Sequence, residues 1–159
     1  MKNKIFIFDL DDTLYKEIDF LYSAYREIAG WIELKFSLKG IYAFMLETYK
    51  EQVDVFSRLI DTYDLSLTKA DLLSIYRSHR PNIRLELDTL KALEVLKQDF
   101  ILGMITDGRS ITQRNKFQAL GLEQFIENEN LVISEEFGSE KPSERNFMFF
   151  QDKYADAEF

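Results

Sequence analysis

The stretch Ile5-Phe6-Ile7-Phe8-Asp9-Leu10-Asp11-Asp12-Thr13-Leu14-Tyr15 constrains this chain more than any other. Four apolar residues, β-branched and aromatic, run straight into three carboxylates within four positions. A short run of that kind, closed by polar residues, reads as a strand buried on both faces. The carboxylates then stand at its C-terminal end, where ligands bind in open α/β sheets. Acidic groups crowded there make sense if something positive sits among them, most simply a divalent cation held by oxygen. A solvated acidic turn would look the same locally, so the rest of the chain has to separate the two.

After Tyr15 the apolar period changes from strand-like to helical. Leu21, Tyr25, Ile28, Ile32 and Phe36 mark one stripe, widened by Trp31 and Leu34. Gly40 interrupts it, and helices follow over 41–49 and 53–63, the latter with Val53, Phe56, Leu59, Ile60 and Tyr63 on one face. Thr68 caps a further helix, Asp71 completes an approximate capping box, and that helix stops before Pro81. The aromatic stripe of Tyr22, Tyr25, Trp31 and Phe36 reads as core of this helical region. His79, the one histidine, reads as structural or solvent-facing.

Beyond Pro81, helix and strand alternate. Residues 88–98 form a helix with Leu90, Leu93 and Leu96 inward. Residues 100–105 form a second buried strand ending in Thr106-Asp107-Gly108. Residues 111–120 form a helix closed by Gly121, and 131–133 a third strand. Residues 134–140 read as a polar loop, and Pro142, Ser143 and Glu144 open a last helix. The order predicts an α/β fold, a Rossmann-like parallel sheet interrupted once by an all-α module. The core is 1–15 with 82–159; the helical insert is 16–81.

Composition narrows the function. The 159 residues carry a net charge of −8, which argues against nucleic acid as the main partner. Cysteine is absent, which excludes disulfides, thiol catalysis and thiolate metal sites. There is neither a membrane-length apolar run nor a cleavable leader pattern, and we expect a cytoplasmic protein without membrane contact.

Three clusters meet at the C-terminal edge of the inferred sheet: Asp9, Asp11 and Thr13; then Thr106, Asp107 and Gly108; then Lys141 beside Pro142. In this order the chain resembles the haloacid dehalogenase superfamily, whose motifs are DxDx(T/V), a strand ending in Thr or Ser, and a Lys at a helix start. Gln113, Lys116 and Leu120-Gly121-Leu122 resemble its phosphatase branch with a helical cap between the first two motifs. The resemblance implies Mg²⁺-dependent hydrolysis of a small phosphorylated metabolite. Asp9 would attack phosphorus to form an aspartyl-phosphate, and Asp11 would act as general acid and base. Thr106, with the backbone N–H groups of Asp107 and Gly108, would bind the phosphoryl oxygens. Lys141 would neutralise charge, and the Asp9 side chain and Asp11 carbonyl would bind the metal. Asp12 reads as a solvated or turn-stabilising bystander.

The resemblance breaks at the family's fourth motif, an acidic pair after a fourth strand beside strand one. Asp152, Asp156 and Glu158 do not match it. The expectation is a core incomplete at its C-terminal end, either shortened or completed by a missing segment or second chain pairing with strand one. A catalytically impaired binding or regulatory module, or a phosphotransferase, are the alternative functions.

Overall fold

The computed structural model describes residues 4–158. Strand β1 (Ile5–Phe8) is followed by four helices: α1 (Glu17–Phe36), α2 (Ile41–Lys50), α3 (Val55–Tyr63) and α4 (Lys69–Ser78). Helix α5 (Leu87–Asp99), strand β2 (Ile101–Thr106), helix α6 (Ser110–Ala119) and strand β3 (Leu131–Ile133) come next. Two short helices close the chain, α7 (Ser134–Phe137) and α8 (Glu144–Lys153). The described strands form one sheet in the order β1-β2-β3, parallel throughout. It is the α/β parallel sheet expected.

Alternation along β2 builds three layers. Leu102 and Met104 face one apolar cluster with Leu93 of α5 and Phe117 of α6. Ile101 and Ile105 face the other way, with Ile5, Ile7, Val132 and Phe150 of α8. Successive strand residues point to opposite faces, so one strand serves both cores. Gly103 lies on the α8 face. A Cβ there would stand 2.6 Å from the Phe150 ring, so the missing side chain lets α8 dock against the sheet.

A third cluster belongs to the four inserted helices. Tyr25, Ile28 and Ile32 of α1 pack with Ile41, Met45, Phe56, Leu59 and Leu72. The amino end of the same helix, at Phe20, joins the cluster under the sheet instead. Thr68 and Asp71 form the expected capping box at α4. His79 is buried against Phe20, with Nδ1 2.8 Å from the Tyr76 carbonyl. Burial holds its pKa below the ordinary histidine value, with nearby Lys116 acting in the same direction.

Several expectations need correction. β1 is not buried on both faces, since Phe6 is 41% exposed; its place at the edge of the described sheet is the one expected without a fourth strand. An all-apolar run of four residues does not say which of its faces has a neighbour. The outer side of β1 is not wholly bare, because Ile5 N–H donates to the Glu158 carbonyl at 2.8 Å and Lys4 bridges Glu158 in parallel. Val53 precedes α3, whose cap is Asp54, accepting from Ser57 N–H. Tyr22 is exposed whereas Tyr25 is buried. The segment after β3 is no loop throughout, since α7 occupies Ser134–Phe137. Pro142 lies outside the last helix, whose cap is Ser143.

The Gly103–Phe150 contact gives a direct test. Gly103→Ala is expected to cost about 1–3 kcal/mol by overpacking. Phe150→Leu in the same chain should restore part of it, read by denaturant unfolding.

Candidate active site

The sheet register brings the sequence-distant clusters together. Phe8 pairs with Met104, which pairs with Leu131, so Asp9, Thr106 and Ser134 all emerge at one end of the sheet. The chain turns at once after β1. Thr13 and Leu14 N–H both bond back to the Leu10 carbonyl, and Asp12 takes a left-handed φ of 54°. Asp9 and Asp11 therefore do not continue a straight strand.

Each carboxylate of the opening stretch has a different surrounding. Asp9 Oδ1 accepts from Lys141 Nζ at 2.5 Å, and its Oδ2 lies 3.5 Å from Thr13 Oγ1. The Asp9 side chain remains 41% exposed, so this carboxylate is paired yet open to solvent and to ligand. Lys141 arrives just before α8, and its own N–H donates to Asp107 Oδ1 at 3.1 Å. Asp107 thus holds the lysine loop. Asp12 accepts from Glu17 N–H at 2.9 Å, which supplies the first turn of α1 with an acceptor that Lys16 does not offer. The turn-stabilising reading of Asp12 fits that contact.

Asp11 is the most heavily bonded of the three. Tyr15 Oη donates to Oδ1 at 2.6 Å and Lys116 Nζ to Oδ1 at 2.7 Å. Gln113 Nε2 donates to Oδ2 at 3.0 Å and to Thr106 Oγ1 at 2.6 Å. Burial, and then its bond to Asp11, raise the Tyr15 phenol above its ordinary pKa, which keeps it a neutral donor. Sequence alone places Gln113 and Lys116 in a resemblance but assigns them no contact, and Tyr15 is not singled out at all.

Gly108 departs from expectation. Its N–H donates to Ser134 Oγ at 2.9 Å rather than standing free for a phosphoryl group. The amino end of α6 is likewise taken: Ser110 N–H donates to Glu135 Oε2 at 2.7 Å, and Arg109 pairs with the same carboxylate. A side-chain anion already complements the helix dipole there. Ser134 and Glu135 lie in the segment read as a plain polar loop, so no periodicity marked them.

The model for haloacid dehalogenase-like hydrolases matches residues 6–154. A glyceraldehyde 3-phosphate phosphatase of Methanocaldococcus jannaschii is 31% identical over 148 residues, covering 86% of this chain and 64% of the relative. One from Methanopyrus kandleri is 28% identical over 159 residues, covering 91% and 67%. The chain thus spans about two thirds of the length of these relatives. Among solved structures, a magnesium-bound protein of Bacillus subtilis assigned to the HAD hydrolases superposes with a TM-score of 0.62. It is 19% identical, with 96% of this chain and 73% of that one covered. A HAD family enzyme of Bacteroides thetaiotaomicron, in complex with magnesium and inorganic phosphate, gives 0.52 at 15% identity, covering 96% and 79%. At those identities the likeness is one of fold.

The donor chemistry at the end of β1 suits magnesium. This ion takes one or two protein carboxylates while keeping several waters, and the part-exposed Asp9 carboxylate is a donor of that kind. Among the described residues no three acidic or histidine side chains converge, so protein ligands would be few.

The three carboxylates separate experimentally. Asp12→Ala is expected to cost about 1 kcal/mol for the lost acceptor at α1, plus about 1 kcal/mol for the left-handed backbone. Thermal unfolding should show that loss while Asp12→Asn stays near wild type.

Proposed function

The chain belongs to the haloacid dehalogenase-like hydrolase family, and on that premise we propose that it hydrolyses a small phosphomonoester. The observation that carries this reading is the pairing of Lys141 Nζ with Asp9 Oδ1 at the sheet edge, beside Thr106 and Asp11. Asp9 attacks phosphorus in line with the leaving oxygen, and an aspartyl-phosphate forms as the ester P–O bond breaks. A carboxylate approaches a dianion only when charge is offset, and Lys141 supplies part of that offset at the attacking side chain. Bound magnesium, held by the Asp9 carboxylate and the Asp11 carbonyl, would supply further Lewis-acid charge neutralisation.

Asp11 gives a proton to the departing alkoxide and then takes one from the water that opens the acyl-phosphate. Thr106 Oγ1 accepts from Gln113, so its own hydroxyl hydrogen is left to donate to a phosphoryl oxygen. We place residues 16–81 as a cap over this edge and 1–15 with 82–159 as core. The separate apolar cluster of α1 to α4 supports that division. The relatives named glyceraldehyde 3-phosphate phosphatases make a three-carbon aldose phosphate the first substrate to test.

With Mg²⁺ present, the protein should release phosphate from glyceraldehyde 3-phosphate or from 4-nitrophenyl phosphate. Chelation with EDTA should stop release, and Asp9→Asn should stop it without changing the circular dichroism spectrum. Retained turnover in folded Asp9→Asn would refute the nucleophile. Phosphate binding without turnover by the wild-type protein would favour a binding module instead.

A further inference from the structure

We propose that Lys116, Gln113 and Tyr15 are positioning residues for Asp11: Lys116 and Tyr15 close its Oδ1, Gln113 orients its Oδ2, and Oδ2 is the oxygen facing the leaving group. The inference rests on Asp11 as general acid and base, and it assigns that role to one atom of the side chain.

Helix α6 carries the first part of the case. It turns Thr112, Gln113 and Lys116 inward together with Phe117, all four buried. Gln113 and Lys116 are three residues apart and so share a face. An ammonium with a side chain only 4% exposed is costly to bury unless it is paired. Here it meets Asp11 Oδ1 at 2.7 Å and stands 4.6 Å from the Phe20 ring centroid, a cation–π distance. A surface lysine would keep its head in water along its own stem. This one is spent on a single carboxylate oxygen and an aromatic face.

Counting lone pairs gives the second part. A carboxylate offers about four acceptor sites, two on each oxygen. Oδ1 receives Tyr15 Oη at 2.6 Å and Lys116 Nζ, and is filled. Oδ2 receives Gln113 Nε2 at 3.0 Å and keeps one site. The amide orientation of Gln113 is dictated by its neighbours, since reversing it would set its oxygen against the carboxylate. The same Nε2 bonds Thr106 Oγ1, so Gln113 fixes the spacing between the acid/base and the proposed phosphoryl donor. In the first half-reaction, Oδ2–H bonds to the leaving oxygen as the P–O electron pair moves onto that oxygen. In the second, Oδ2 takes the water proton as the water oxygen bonds phosphorus, and the bond from Asp9 to phosphorus breaks to release phosphate and restore the Asp9 carboxylate.

The test compares leaving groups, using the full chain with Mg²⁺. 4-Nitrophenolate departs from its phosphate ester without needing a proton; the alkoxide of glyceraldehyde 3-phosphate needs one. Lys116→Met is expected to lower kcat on the alkyl ester at least about tenfold more than on the aryl ester, within the range general acid catalysis contributes. KM should move less than about threefold. Tyr15→Phe keeps the ring packing and should show the same asymmetry, so it carries the test if Lys116→Met does not fold by circular dichroism. Equal losses on both esters, or no loss, would overturn the positioning role and leave the phosphatase reading standing; if the wild type does not cleave glyceraldehyde 3-phosphate, an alkyl phosphate that it does cleave takes its place in the comparison. A wild-type protein that releases phosphate from neither ester refutes the phosphatase reading itself.

Discussion

The three carboxylates that follow β1 each take a partner of their own, a cation or a backbone N–H. Like charges repel by about 1 kcal/mol at roughly 4 Å even in water, so carboxylates this near in sequence are better held by separate partners. This chain solves the problem three times with three different elements. Asp9 takes Lys141 from the approach to α8, Asp11 takes Lys116 from α6, and Asp12 takes the first backbone N–H of α1. A net charge of −8 makes that pairing more pressing, because no general surplus of cations exists to screen the site. Much of the fold can be read as the means of bringing these partners in. Gly103 lets Phe150 dock α8 onto the sheet, on the element that follows Lys141; the inward polar face of α6 carries Lys116; and the left-handed turn at Asp12 opens α1.

The degree of exposure then separates the two carboxylates proposed to react. Asp9 is 41% exposed and bonded by its cation on one oxygen only, as a group must be if phosphorus is to reach it. Asp11 sits deeper and is bonded on both oxygens. A nucleophile needs access; an acid/base needs a fixed angle. The same residue type at nearly adjacent positions acquires those opposite surroundings because the chain leaves the strand direction between them.

The motif residues were legible in the sequence because their spacing follows the strand ends. Asp9, Thr106 and Lys141 lie where a parallel sheet must place them, and the alternation of strand and helix told which sheet that was. What was not legible depended on side-chain direction. The pattern of α6 is nearly featureless in hydrophobicity, since its buried face includes threonine, glutamine and lysine; no periodicity could show that Lys116 points inward. Ser134 and Glu135 looked like loop, yet one holds Gly108 and the other caps α6. The exposure of Phe6 was hidden for the opposite reason, because an apolar strand reads alike whether or not something covers its face.

Helix α6 also joins the site to the inserted helices. On the side reached by α4, Thr112 Oγ1 donates to the Arg77 carbonyl at 3.1 Å. Asn115 Nδ2 donates to the carbonyls of Ser78 and His79 at 3.1 and 3.0 Å. These are the unsatisfied carbonyls of the last turn of α4 and of the residue beyond it, groups that a helix end always leaves in need of donors. One helix thus grips the end of the helical unit with Thr112 and Asn115, and grips the Asp11 carboxylate with Gln113 and Lys116. Each of the three bonds to α4 contributes about 1 kcal/mol net, so they locate the helical unit without locking it. The sequence neighbours Thr112-Gln113 and Asn115-Lys116 alternate between these two duties, so a single turn-and-a-half of backbone bonds both the Asp11 carboxylate and the end of α4.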